Sequence, residues 1–478
     1  MAPKFGTSGL RGLVTDLTPA LVGDHVAAFV AACPTGAGLY LGRDLRPSSP
    51  AIADAVMRAA RDAGLAVTDC GALPTPALAL AAMTAGAAAV MVTGSHIPAD
   101  RNGLKFYTPA GEITKAQEQA ILAVLGRRPD AAMPGPAPRK APGAAAAYVA
   151  RYRDAFGAGA LAGLRIGLYA HSSVGRGAMA EALAVLGAEV VTLGWSEAFI
   201  PVDTEAVDAA TRAMLCDWAR AGQLDAIASA DGDADRPLLT DATGAVIAGD
   251  ILGQITAAAL GADIVVTPVS SNGGAELGGR FARVLRTRIG SPHVIAAMEE
   301  AGGRVAGYEA NGGFLLGFAA EGPAGGLAPL MTRDCLLPII ATLWQARGRG
   351  LADLVAAEPA RFTAADRLQD VPTDRAGALV AAMADGPAAR RGFLGRLGLA
   401  EAAADQTDGL RITAQGGRVV HVRPSGNAPE LRLYAEAESP AAAAALLAAG
   451  LAELRRALDH FGDLPITASD LLSGQARS

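Results

Sequence analysis

Asp231-Gly232-Asp233-Ala234-Asp235-Arg236 sets three carboxylates at alternate positions between two apolar stretches, Asp225–Ala230 and Pro237–Thr240. Carboxylates held that close repel strongly unless a cation neutralises them, and oxygen donors suit a hard ion such as Mg2+. An EF-hand loop starting at Asp231 would need glycine and glutamate where Arg236 and Ala242 stand, so that reading fails. A solvated acidic turn is the bland alternative, and the apolar flanks argue against it. A second loop, Thr93-Gly94-Ser95-His96-Ile97-Pro98, follows the apolar run Ala88–Val92 and continues to Lys105. Ser95 is a candidate nucleophile; a G-x-S-x-G elbow would need glycine at Thr93 and Ile97, so acyl transfer is a poor fit. A third loop, Gly307-Tyr308-Glu309-Ala310-Asn311-Gly312-Gly313, offers an acceptor in Glu309 and a mixed donor and acceptor in Asn311, the combination that sugar hydroxyls require. The fourth runs from Arg423 to Arg432. Its Arg423, Ser425, Asn427 and Arg432, with backbone N–H groups near Gly426, form a candidate phosphate nest.

Each loop alone has an ordinary reading as a polar turn. Together, a serine, a carboxylate triad, a hydroxyl-reading loop and an anion clamp describe phosphoryl transfer on a sugar phosphate. The chain holds no GxxxxGK[ST] loop, so no nucleotide donor is evident and the phosphoryl group must be carried by the protein, with Ser95 as carrier.

These loops need strands to hold them. The spacing predicts strands at Gly38–Gly42, Leu65–Asp69 and Ala88–Val92, a helix opened by Ser49 as cap and Pro50, and a helix over Thr75–Ala85. Arg127–Gly143, rich in proline, reads as a linker. A second unit follows, with strands Arg165–Ala170, Glu189–Leu193 and Asp225–Ser229 and a helix over Glu205–Ala221. A third has strands Asp263–Val266 and Arg304–Gly307 and a helix over Pro292–Ala301. Beyond Arg361, strands at Leu410–Thr413, Arg418–Val422 and Leu431–Glu436 precede an alanine-rich helix from Pro440. The expected fold class is α/β: three similar mixed α/β domains (1–140, 141–247 and 248–358) and a C-terminal α+β domain (359–478). In open α/β sheets, loops at strand ends are where ligands sit.

The chain has 478 residues, 51% of them hydrophobic, with a formal net charge of −6. It is long and apolar enough for several buried cores, and no basic face suggests nucleic acid. The uncharged stretch Cys70–Ala99 is interrupted by Pro74, Pro76 and Pro98 and reads as a buried helix and strand, not a membrane span. Cys33, Cys70, Cys216 and Cys335 are isolated, and no signal-peptide pattern opens the chain; a cytoplasmic protein is expected. Arginine greatly outnumbers lysine, so Lys105 stands out as a candidate proton carrier, a task arginine cannot perform.

Phe5-Gly6-Thr7-Ser8-Gly9-Leu10-Arg11-Gly12, Gly42-Arg43-Asp44 with Arg46-Pro47-Ser48, and the four loops in this order resemble the α-D-phosphohexomutase superfamily over nearly the whole chain, most closely its bacterial phosphomannomutase/phosphoglucomutase branch. The resemblance implies four domains around a central cleft and a phosphoserine at Ser95. It implies Mg2+ held by Asp231, Asp233, Asp235 and the Ser95 phosphoryl oxygen, with Arg11, His96, Lys105 and Arg236 beside the transferring group. Glu309 and Asn311 would read the sugar; Arg423, Ser425, Gly426, Asn427 and Arg432 would hold the phosphate that stays. The implied partner is a hexose phosphate, with a hexose 1,6-bisphosphate as intermediate and activator, in a monomer or weak homodimer. Mannose phosphate is the expected substrate, ahead of glucose, glucosamine and acetylglucosamine phosphates; a sugar-phosphate sensor without activity is the rival from another class. The loops depart from the common pattern at Gly94, Ile97, Asn311 and Asn427.

Overall fold

The computed structural model describes residues 3–6, 9–127, 133–425 and 429–460. It divides into two compact units. The first comprises 1–267, 279–285 and 290–358; the second comprises 268–278, 286–289 and 359–478.

One strand environment recurs three times in the first unit. Ala88–Val92 lies between a parallel neighbour, Leu39–Arg43, and an antiparallel one, Arg101–Thr108. Ala226–Ala230 lies between parallel Arg165–His171 and antiparallel Pro237–Leu239. Val305–Tyr308 lies between parallel Ile264–Pro268 and antiparallel Phe314–Leu316. Every residue of these three central strands is buried. Their short, small-residue apolar runs suit strands covered on both faces. Each runs directly into one of the chemical loops, at Thr93, Asp231 and Glu309. The expected trio of similar mixed α/β units is present, and in each the chain reverses direction at the loop.

A continuous core joins the three sheets. It includes Ala77 and Leu78 of the helix Thr75–Thr84, Tyr148 of the helix Ala144–Phe156, Leu168, Ile255, Tyr308 and Leu337. The uncharged Cys70–Ala99 stretch supplies the helix Thr75–Thr84 and the strand Ala88–Val92 to the interior, as expected. Among the described residues no helix is long and apolar enough to cross a membrane.

In the second unit an antiparallel sheet has the order Phe362–Gln369, Glu430–Ala437, Val419–Pro424, Leu410–Ala414, Glu401–Asp405. The helix Pro440–His460 packs on it through Leu446, Leu454 and Leu458. This is the α+β element expected beyond Arg361.

Some local expectations are corrected. The helix expected from Glu205 begins at Ala209, where the Asp208 side chain accepts the Thr211 N–H; residues 201–207 form a loop. The helix at Ser49–Asp62 is preceded by Ser48 in the cap position, and the Ser49 hydroxyl instead donates to Asp44 Oδ1 at 2.5 Å. Within the expected linker, Arg139–Lys140 pairs with Thr68 and Asp69 as an edge strand.

Candidate active site

Ser95 is fully buried and has φ of 55°, the left-handed region that costs a residue with a Cβ about 1–2 kcal/mol. Such strain persists only where neighbours over-determine it. Here they do. The Ser95 N–H donates to Thr93 Oγ1 at 2.8 Å, and Thr93 in turn donates to Asp44 Oδ2 at 2.7 Å. Arg46, 1% exposed, donates to the carbonyls of Ser95, Ile97, Pro98 and Arg101 at 2.5–3.0 Å and pairs with Asp44. Gly94 is required by this grip: a Cβ there would lie 2.7 Å from the Arg46 guanidinium carbon. Lysine at position 46 keeps the charge and loses most of those bonds. Each buried carbonyl left without a donor costs about 1–3 kcal/mol. Arg46→Lys is therefore expected to lower stability by at least about 2 kcal/mol and to slow turnover; an unchanged urea midpoint would contradict it.

The Ser95 hydroxyl donates to Asp231 Oδ2 at 2.5 Å, and His96 Nδ1 lies 3.3 Å from Ser95 Oγ. Asp231, Asp233 and Asp235 are buried, with one oxygen from each within 4.8 Å of the others. Lys105 comes to them on the strand Arg101–Thr108, its Nζ 2.6 Å from Asp233 Oδ2 and 2.5 Å from Asp235 Oδ2. Thr75, at the start of its helix, donates its hydroxyl to Asp233 Oδ2 at 2.6 Å and its N–H to the Asp233 carbonyl at 2.9 Å. Arg333 Nη2 lies 2.7 Å from Asp235 Oδ2. The protein thus occupies the Oδ2 atoms of Asp233 and Asp235 and leaves both Oδ1 atoms buried without a hydrogen-bond partner. Two orphaned carboxylate oxygens beside Asp231 and the Ser95 hydroxyl fit a hard divalent cation such as Mg2+.

The surrounding charges agree. Burial, then Asp233 and Asp235, push the Asp231 carboxyl well up. Asp235 goes the other way: burial opposes ionisation, but Arg333, Lys105 and Arg236 outweigh it and hold the carboxyl below its usual range. His96 is pushed down to about 2 by burial and by Arg236 and Arg11, so the ring is neutral. Arg236 Nη1 lies 2.9 Å from His96 Nδ1. A guanidinium can only donate, so Nδ1 carries the lone pair and Nε2 the hydrogen. That Nε2 lies 4.0 Å from Asp203 Oδ2. Burial and the nearby Arg236 and Arg333 lower Arg11 to about 10, against the pull of Asp233 and Asp235.

Glu309 and Asn311 are buried on the third loop. Asn311 Oδ1 accepts the Gly313 N–H at 3.0 Å, and its amide nitrogen faces Glu309 Oε2 at 3.5 Å. The loop 201–207 reaches over to it: Thr204 donates its hydroxyl to the Asn311 carbonyl at 2.9 Å. The first unit therefore brings Ser95, His96, Lys105, Arg11, Asp231, Asp233, Asp235 and Arg236 into one cluster of contacts or charges, linked to Glu309 through Arg333.

The fourth loop belongs to the second unit. Arg423 and Arg432 face each other on adjacent strands, and Arg367 faces Arg432 from the other side, a row of guanidinium stems on one face of the sheet. Asp408 lies 3.4 Å from Arg423, and Glu430 lies 3.2 Å from both Arg432 and Arg367. Cations placed directly opposite one another repel, so such a row suits an anion. Ser425 is buried, its N–H donating to the Glu430 carbonyl at 2.9 Å. Gly426 and Asn427, named with this loop, lie outside the described residues.

Sequence reasoning gave no role to Arg46, Thr75, Asp203, Thr204, Arg333 or Arg367. Arg46 had a signal, its place beside Gly42-Arg43-Asp44. The others had none, because their partners lie far away along the chain.

The family models described as Phosphoglucomutase/phosphomannomutase, alpha/beta/alpha domain I, alpha/beta/alpha domain III and C-terminal domain match residues 2–130, 240–362 and 371–454. A phosphomannomutase of Sinorhizobium fredii is 48% identical over 475 residues, covering 96% of this chain and all of the relative. A phosphomannomutase of Salmonella muenchen is 44% identical, covering 91% of this chain and 92% of the relative. The crystal structure of a phosphoglucomutase/phosphomannomutase family protein from Burkholderia thailandensis shares the fold, with a TM-score of 0.74 at 22% identity over 96% of this chain and 99% of that one. The chain belongs to the phosphoglucomutase/phosphomannomutase family, the class of enzyme that its loops define.

Proposed function

We propose that this chain has phosphomannomutase activity, interconverting mannose 6-phosphate and mannose 1-phosphate through a phosphoserine at Ser95 and a mannose 1,6-bisphosphate. The observation that carries the reading is the Ser95 hydroxyl at 2.5 Å from Asp231, beside two aspartates whose Oδ1 atoms have no hydrogen-bond partner. The choice of sugar rests on the phosphomannomutases that are 44–48% identical over nearly the whole chain.

In the forward half-reaction the bond from phosphorus to Ser95 Oγ breaks and a bond to a sugar hydroxyl oxygen forms. The hydroxyl proton must leave, and Lys105 is the group we assign to manage it. In the return half-reaction the bond from phosphorus to the other sugar oxygen breaks and a bond to Ser95 Oγ forms; the Ser95 hydroxyl proton, which already points at Asp231, leaves, and the freed sugar oxygen takes the proton that Lys105 received. Asp231, Asp233 and Asp235 with Ser95 would hold Mg2+, which supplies charge stabilisation to the phosphoryl oxygens. Arg11 and Arg236 add fixed positive charge beside them, and neutral His96, accepting from Arg236 through Nδ1, holds that guanidinium next to the serine. Glu309 and Asn311 take sugar hydroxyls. Arg423, Ser425 and Arg432, with Gly426 and Asn427, grip a phosphate. The unpaired Cys33, Cys70, Cys216 and Cys335 accord with a reducing compartment such as the cytoplasm.

Purified protein offered mannose, glucose, glucosamine and acetylglucosamine 1-phosphates, each with a trace of the matching bisphosphate, tests the assignment. Mannose 1-phosphate is expected to give the highest kcat/KM, with little inorganic phosphate released per turnover. A large preference for glucosamine 1-phosphate would overturn the choice of sugar. Arg423→Ala is expected to raise KM about tenfold or more with a smaller change in kcat, because a grip on the phosphate that stays acts equally in ground and transition states. A loss confined to kcat would contradict it.

A further inference from the structure

Arg333 lies on the strand Leu330–Asp334, outside all four chemical loops, and is 2% exposed. Its Nη2 is 2.7 Å from Asp235 Oδ2 and its Nη1 is 3.1 Å from Glu309 Oε2. One planar group therefore spans a candidate metal ligand and a candidate sugar ligand from different sheets. The stem is held as closely as the head. A Cβ on Gly313 would lie 2.7 Å from Arg333 Cδ and 2.8 Å from Cγ, so the last glycine of the third loop makes room for this side chain. Burial disfavours the guanidinium charge, yet Asp235 and Glu309 more than restore it.

We propose that Arg333 is a positioning residue that anchors on Asp235 and fixes the carboxylate of Glu309, so that the sugar is read at a set place relative to Ser95. The physical reason is the fork. Two N–H donors with fixed separation can hold two carboxylates at once, whereas an ammonium with the same charge is a point donor on a flexible stem. Asp235 is itself pinned by Lys105, so the anchor does not swing. Without the fork, Glu309 retains its neighbour Asn311 at 3.5 Å, too long to orient it well. Displacing a substrate-positioning group by about 1 Å costs on the order of 100-fold in rate.

The inference rests on the reading of this site as a mannose-phosphate mutase centre, and the test separates the two. Arg333→Lys keeps the charge, and Glu309→Gln removes the carboxylate being held. Each single variant is expected to lower kcat/KM for mannose 1-phosphate about 10–100-fold, the scale of a misplaced positioning group, and to narrow the preference over glucose 1-phosphate. The double variant should be no worse than the poorer single by more than about threefold, since the pair acts as a unit. Calorimetry on dephosphorylated protein, which binds sugar phosphate without turnover, should show the same non-additive loss of mannose 1-phosphate affinity. Mn2+ binding by dephosphorylated Arg333→Lys should stay within about threefold of wild type.

Losses that multiply in the double variant overturn the proposal, and so does a loss of Mn2+ affinity beyond tenfold, which would mean that Arg333 acts through the metal loop. A wild-type Kd for mannose 1-phosphate in Arg333→Lys overturns it as well. If Arg333→Lys does not fold, Glu309→Gln with Arg333→Gln in its place completes the same cycle. Failure of the wild-type protein to turn over mannose 1-phosphate would sink the underlying reading instead.

Discussion

Ser95→Ala is expected to remove turnover, lowering kcat by about 10⁴-fold or more, as losing a nucleophile does when the remaining groups can only bind. Incubation of wild-type protein with hexose 1,6-bisphosphate should add one phosphoryl mass to the peptide containing Ser95, and the variant should gain none. Stability gives a clean control. Alanine meets nearly the same left-handed strain at φ 55° as serine does, and the Ser95 N–H and carbonyl keep their bonds to Thr93 and Arg46. What the variant loses is one hydroxyl and its bond to Asp231. The thermal midpoint should therefore fall only by the equivalent of about 1–3 kcal/mol, for the acceptor left unpaired at Asp231, while activity vanishes. A rate near wild type in a coupled assay would mean that the phosphoryl group travels by another carrier.

Lys105→Met should be the next most damaging change, with kcat reduced by on the order of 10³-fold, within the 10²–10⁴ that a positioned proton carrier contributes. Methionine is close to lysine in length, so packing is nearly kept while the charge is lost. The Lys105 ammonium touches both Asp233 and Asp235. Its removal leaves Asp233 Oδ2 with the Thr75 hydroxyl and Asp235 Oδ2 with Arg333. Breaking a buried ion pair from one side typically costs about 3–5 kcal/mol, and the partners that remain should keep the cost below that. A bound cation would offset part of the lost charge. Scanning calorimetry should then show a lowered Tm in chelator that recovers, at least in part, with added Mg2+, while kcat does not recover. A kcat within tenfold of wild type would remove Lys105 from the chemistry and leave it a counter-ion.

The loops of the candidate site were legible in the sequence because each partial task proposed for them sits in one short stretch. Alternating aspartates, a serine followed by histidine, a Glu-x-Asn turn and a run from Arg423 to Arg432 each present several donors or acceptors within a few residues, and apolar strands before them mark where they emerge. Composition and spacing likewise separated the α/β part from the antiparallel sheet beyond Arg361. The start of the helix at Ala209 was misplaced because Glu205 and Ala206 favour helix, while Asp208 captures the first turn and Thr204 bonds the distant Asn311.

Tertiary structure decided how the loops are joined. Arg46 grips a loop about fifty residues away, Thr75 reaches Asp233, and Arg333 spans Asp235 and Glu309. Nothing local distinguishes such residues, since an arginine or threonine at the end of a strand or helix has many ordinary uses. Their roles arise only when sheets pack around a shared core and bring buried charges together, because an ion taken from water must find its partner wherever the fold supplies one.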